Sequence, residues 1–178
     1  YIINFIDHYN ETFKDKKTQA EMQKDVLETI EKLRVNQNPN EYIFIYDFNG
    51  KLIQDAVSKN NIGENFYNLK DINGKEVIKE LITTSQKKHG GYVEYVWYKP
   101  EISKQTNKIS YSLSYNKWNW TIGKGVYLDE IDKLVKIKEE EFNQKISNYT
   151  LQITSLTIML ILYSIFIYKN ATILIVND

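Results

Sequence analysis

The chain has 178 residues, which is room for one domain of ordinary size plus flanking helices. Its 23 acidic and 23 basic residues cancel, leaving no global field to attract nucleic acid, and no nucleic-acid partner is expected. It has no cysteine, which excludes disulfide frameworks, thiolate metal sites and cysteine nucleophiles.

The balance of charge is local as well as global. From Glu41 to Leu128 there are twelve lysines against nine acidic residues, a mildly cationic middle that favours an anionic small ligand. All cations but Arg34 are lysines. A lone arginine offers a planar fork for a carboxylate, or simply caps the exposed carbonyls at a helix end. The chain opens without an initiator Met on Tyr1-Ile2-Ile3 and closes on Asn177-Asp178, so both ends are expected to continue in a longer protein.

The first 35 residues read as one long helix. Met22, Val26, Ile30 and Leu33 recur at helical steps, and Phe5, Ile6, Tyr9 and Phe13 extend the stripe upstream. The apolar start could be the tail of an earlier membrane helix. Asn36-Gln37-Asn38-Pro39-Asn40 stops the helix. Tyr42 to Tyr46 has the aromatic and β-branched content of a strand, and Lys51 to Val57 is its partner across an Asn49-Gly50 hairpin turn. Between Ser58 and Lys88 the pattern loosens, apart from a short amphipathic helix carrying Val77, Ile78, Leu81 and Ile82. Tyr92 to Tyr98, Lys108 to Tyr115 and Trp118 to Tyr127 then suit an antiparallel meander, with a polar loop after Pro100.

From Leu128 the chain is helical again and runs without a breaker into residues 146–168, which carry no charge and no proline. At about 1.5 Å per residue, some 20 residues cross a hydrocarbon core of roughly 30 Å, so this segment is predicted to span a membrane. The expected organisation is therefore an N-terminal helix over 1–36, a core over 37–128, a juxtamembrane helix over 129–145, the span over 146–168, and the start of a cytoplasmic part over 169–178.

The middle of the chain resembles a known family. Gly91-Tyr-Val-Glu-Tyr-Val-Trp-Tyr-Lys-Pro100, Lys108-Ile-Ser-Tyr111 and Trp118-Asn-Trp-Thr-Ile-Gly-Lys-Gly-Val-Tyr-Leu-Asp129 are similar to the single Cache sensor domains of bacterial chemoreceptors and sensor kinases. Tyr42 to Asp47 with Asn49-Gly50 fits the first two strands of that family, and Asp71-Ile-Asn-Gly74 fits its middle. The resemblance implies an α+β fold: a long N-terminal helix packed on a PAS-like five-stranded antiparallel sheet, followed here by the transmembrane helix. It also implies a domain outside the cytoplasmic membrane that binds a small molecule, often a short carboxylate, in a receptor expected to be a homodimer. The resemblance implies no cofactor. One departure stands out: where relatives often carry His-Pro in the second strand, this chain has Asp55-Ala56.

Period two sorts the candidate site residues. Val93, Tyr95 and Trp97 share one face of their strand, and Trp118, Trp120 and Ile122 share one face of theirs. Rings with a polar handle suit a pocket that is apolar in body and needs a few hydrogen bonds. Tyr95 and Trp97 lead as pocket wall, with Trp118 and Trp120 as further candidates. Lys108, if it points inward, would pair with a carboxylate. Tyr111 falls on the opposite face and is the reserve, while Arg34 could reach the pocket rim. No catalytic constellation is evident: His8 and His89 are far apart, and the Asp-x-Asn-Gly sequences at 47–50 and 71–74 lack the remaining calcium ligands and read as turns. An enzymatic output such as a histidine kinase or cyclase is expected only beyond the chain. The competing reading is a module that senses a partner protein, or dimerises, with its pocket filled by its own side chains.

Overall fold

A computed structural model describes residues 1–32 and 40–176, and side chains as far as Asn170. Two units divide the chain, Tyr1–Ile131 and Asp132–Asp178. The first contains helices α1 (Ile2–Phe13), α2 (Gln19–Lys32) and α3 (Val77–Ser85), with strands β1 (Ile43–Asp47), β2 (Leu52–Asp55), β3 (Gly91–Lys99), β4 (Lys104–Tyr115) and β5 (Trp120–Tyr127). Helix α4 (Leu128–Val176) begins in it and makes up nearly all of the second.

The strands form one sheet in the order β2-β1-β5-β4-β3, every neighbour antiparallel. The last strand thus lies at its centre, and the three-residue turn Asn116–Trp118, with Asn119 left-handed (φ 55), feeds it. Strand β4 starts at Lys104, so most of the polar stretch expected as a loop is paired with β3.

Two local features differ from expectation for identifiable reasons. The N-terminal helix breaks between Phe13 and Gln19 because Thr18 and Glu21 build a capping box. The Thr18 amide donates to Glu21 Oε2 (2.8 Å) and the Glu21 amide to Thr18 Oγ1 (3.3 Å), so a new helix starts there. The two helices are then tied by Asp25, which accepts from Tyr9 (2.7 Å) and Lys17 (2.5 Å). At the hairpin, only Gly50 has a positive φ (+86). Asp47 Oδ1 accepts from the amides of Asn49 and Lys51, both at 2.9 Å, fixing a three-residue loop that ends in a left-handed glycine. The other Asp-x-Asn-Gly stretch is also a turn: Asp71 accepts from the amides of Asn73, Lys75 and Val96.

Each face of the sheet has its own core. On one, Ile45, Tyr115, Trp118, Trp120 and Ile122 pack with Ile6, Met22, Val26 and Ile30 of α1 and α2. On the other, Tyr42, Phe44, Tyr46, Val93 and Tyr95 pack with Val77, Ile78, Leu81 and Ile82 of α3. Helix α3 lies close because the strands beneath it are small-residued: Ser112 Oγ donates to the Leu81 carbonyl (3.0 Å), and Ser85 meets Thr121 hydroxyl to hydroxyl (2.9 Å).

In the second unit, α4 is long and apolar enough to cross a membrane, with a mean hydropathy of 1.9 in its most apolar window. Five of its hydroxyls donate within the helix. Thr150, Thr157 and Ser164 donate to the carbonyl four residues back, and Thr154 and Ser155 to that three back. No donor among them is left bare to hydrocarbon.

Candidate ligand site

The face under α3 contains a small cavity lined by two buried charged groups of opposite sign. Its wall is aromatic, from Tyr42, Phe44, Tyr46, Tyr95 and Trp97, and α3 closes it with Val77, Ile78 and Leu81. Into this wall β4 sends Lys108 and β2 sends Asp55, at 1% and 3% exposure. The free space is small, about 10 Å³ where one water needs about 10–15 Å³. A second, outer cavity of about 250 Å³ is lined by Asp71, Asn73, Lys75, Glu94 and Asn107, and shares Tyr95 and Lys108 with the inner one. Those two residues therefore stand between the surface and the interior.

Lys108 reaches inward because β5 makes room for it. A Cβ on Gly125 would lie 2.7 Å from Lys108 Cε and 2.1 Å from Ser110 Oγ, and one on Gly123 would lie 2.2 Å from the Phe44 ring. Two side-chain-free positions in alternation thus create the floor of the site. The ammonium donates to the Tyr42 hydroxyl (2.8 Å) and lies over the rings of Tyr42 (4.1 Å to the centroid) and Tyr127 (4.9 Å). The Tyr127 hydroxyl donates to the Tyr98 carbonyl (2.5 Å). Tyr95 is fixed by a hydroxyl–hydroxyl bond to Ser110 (2.7 Å) and sits edge-on to Trp97, with ring centroids 5.6 Å apart.

Burial dominates the electrostatics. Desolvation pulls the Lys108 ammonium down from 10.5 to about 7, against the opposing fields of Asp55 and Glu130. Desolvation pushes the Asp55 carboxyl above its usual range, although the amides of Ser58 and Val57 and the charge of Lys108 favour its ionised form. Oδ1 of Asp55 accepts from the amides of Val57 (2.7 Å) and Ser58 (2.9 Å), capping the end of β2.

Beside the site, at the start of α4, a second buried lysine gathers three carboxylates. Lys99, whose side chain is 4% exposed, pairs with Asp129 (2.7 Å), Glu130 (3.2 Å) and Glu101 (3.8 Å), and its ammonium lies 5.4 Å from the centroid of the Tyr127 ring. Asn40 donates to both Glu101 (2.9 Å) and Glu130 (2.5 Å). Burial opposes the Lys99 charge, and the bonds to Asp129 and Glu130 outweigh it, so its pKa is raised.

The structure brings Tyr95, Trp97 and Lys108 together and separates them from the other residues singled out in the sequence. Trp118 and Trp120 belong to the opposite core, edge to face at 4.8 Å: alternation in β5 turns Trp120 toward α1 and α2, and Trp118 joins it from the turn Asn116–Trp118. Tyr111 lies on the outside of the sheet, stacked edgewise on Tyr92 and donating to the His89 carbonyl. Arg34 lies outside the described residues. The site residues that sequence reasoning missed are Tyr42, Phe44, Tyr46 and the paired Gly123 and Gly125. Asp55 was visible only as a departure from the family pattern.

Comparison with known proteins agrees with this architecture. The family model for Single Cache domain 2 matches residues 2–141. The sensor histidine kinase MctS of Rhizobium johnstonii is 40% identical over 90 residues, 51% of this chain. The chain spans only 19% of that kinase's length. Among solved structures, a methyl-accepting chemotaxis protein from Vibrio parahaemolyticus is similar with a TM-score of 0.59 at 31% identity, over 72% of this chain and 86% of the other. A Cache chemosensory domain described for its carboxylic acid recognition is similar with a TM-score of 0.62 at 29% identity, over 71% and 83%.

Proposed function

Because the chain belongs to the Single Cache domain 2 family, we propose that it is the extracytoplasmic sensing part of a bacterial transmembrane receptor, binding a short carboxylate between its sheet and α3. One observation carries the reading: Lys108, a fully buried lysine, meets a hydroxyl rather than a carboxylate inside an aromatic cavity. A buried cation without a countercharge in contact is costly, and an anion placed against it removes that cost. The similarity to a domain that recognises carboxylic acids supports the same chemistry. Tyr95 and Trp97 form the wall, and the outer cavity that shares Tyr95 and Lys108 is the way in. Trp118, Trp120 and Tyr111 act on this site only through the sheet they stabilise.

Binding acts on the output through β5. Tyr127 ends that strand, contacts the Lys108 ammonium, and is followed directly by α4. A ligand shifts signalling only by its difference in affinity between two states, typically about 1–3 kcal/mol. The receptor works as a homodimer in the cytoplasmic membrane, with α4 as its span, and its output domain supplies any enzymatic activity.

A second reading has one observation in its favour. The inner cavity holds one water at most, as expected of a module that senses a partner protein and fills its pocket with its own side chains. A thermal-shift screen of the whole chain in detergent against short carboxylates, amino acids and amines separates the two. Ligand at a hundred times its dissociation constant adds about 2.7 kcal/mol, a shift of several degrees. A flat response from folded protein across the panel would sink the small-molecule reading.

A further inference from the structure

The inner cavity holds two buried charges of opposite sign that do not touch. Lys108 donates to Tyr42, and Asp55 turns one oxygen to the amides of Val57 and Ser58. Among the described residues, no ion pair within 4.0 Å joins the two. Each is nonetheless close enough for its field to be felt by the other. Tyr42, Tyr46 and Tyr95 line the same cavity as Asp55 and lie within reach of its field.

This pairing constrains the ligand. A plain carboxylate against Lys108 would bring a second anion into a dry space that already holds Asp55. One cation would then serve two buried anions, and uncompensated buried charge is expensive. A molecule with a cationic group beside its carboxylate avoids this, since each of its ends meets an opposite charge. The remaining wall suits such a cation, because the rings of Tyr46, Tyr95 and Trp97 attract an ammonium as hydrocarbon cannot. The free space is that of one water at most, so the wall must open to admit a ligand and only a small one is accommodated.

We infer that the ligand is a small zwitterionic 2-amino acid, its carboxylate on Lys108 and its ammonium on Asp55, so that Asp55 sets specificity. The inference rests on the cavity being the ligand site and narrows the acid class proposed above. Sites that present a buried partner for a polar group discriminate strongly against analogues lacking that group.

The test compares 2-aminopropanoate (alanine) with propanoate, which differ by the amino group alone, by calorimetric titration of the full chain in detergent. Alanine should bind the wild type at least ten-fold tighter than propanoate. Asp55→Asn keeps an oxygen for the Val57 and Ser58 amides and should weaken alanine at least ten-fold without weakening propanoate. Equal or tighter binding of propanoate by the wild type overturns the inference and leaves the sensor reading standing. Undiminished alanine affinity in Asp55→Asn overturns it too. If neither ligand nor any other acid binds folded wild type, both readings fall. Should Asp55→Asn fail to fold, the wild-type comparison of the two acids decides alone.

Discussion

On the side of the sheet that meets α1 and α2, the buried cluster of Ile45, Tyr115, Trp118, Trp120 and Ile122 contains no charged residue. On the side that meets α3, β4 buries Lys108, Ser110 and Ser112, and β2 buries Asp55, among tyrosines. Strand β5 shows the contrast within a few residues: Trp120 and Ile122 fill one side, while Gly123 and Gly125 leave space on the other. One face has been filled and the other kept partly vacant and charged. The first arrangement is what stability selects; the second costs stability and is expected where a ligand supplies what is lacking.

The sharpest way to break this contrast is to empty the filled side. Trp120→Ala should destabilise the fold by about 3–5 kcal/mol, lowering the melting temperature by roughly 10 °C, while any variant protein that remains folded keeps its ligand preference. Filling the vacant side should cost less and do more to function. Gly125→Ala drives a methyl toward Lys108 Cε and Ser110 Oγ, at about 1–3 kcal/mol of overpacking, with ligand affinity reduced in the same variant. A thermal melt followed by a titration separates the two effects.

Removing the buried cation should split the properties the other way. Lys108→Met should weaken acid binding more than ten-fold, about 1.4 kcal/mol or more, and leave stability at neutral pH equal or higher. A loss of stability with affinity intact would contradict the assignment. The pH dependence follows with a definite sign. Because burial lowers the Lys108 pKa from 10.5 to about 7, the unfolded chain holds a proton between those values that the folded one lacks. Stability therefore rises with pH across that window, and the rise should be missing in Lys108→Met when melts of both proteins are compared from pH 7 to 10. The smallest effect belongs to the surface. Lys117 bridges Asp7 and Glu11 with all three side chains about half exposed, and Lys117→Gln should leave the melting temperature unchanged within error.

Much of this was legible along the chain. Alternation in β3 and β4 correctly grouped Tyr95 with Trp97 and set Lys108 against Tyr111, because side-chain direction in a strand is a local property. Alternation also put Trp118, Trp120 and Ile122 on a common side. It could not say which helices that side would meet, since β5 finds its place at the centre of the sheet through pairing with β1 and β4, distant in sequence. The break between α1 and α2 was written in Thr18 and Glu21, and was masked by an apolar stripe that continues through it. The importance of Gly123 and Gly125 is wholly three-dimensional: extended glycines carry no turn signal, and only the approach of Phe44 and Lys108 explains them.

Tyr127 is flanked by the ammonium groups of Lys108 and Lys99, one facing the cavity and the other holding Asp129 and Glu130 in the first turn of α4. Glu130 is close enough for its field to reach Lys108. Linkage makes such an arrangement symmetric: whatever factor a ligand exerts on the first turn of the helix, that turn exerts on the ligand's dissociation constant. On the proposed function, Glu130→Gln, outside the cavity, shifts ligand affinity as well as output, and the state of the helix becomes readable as a binding constant.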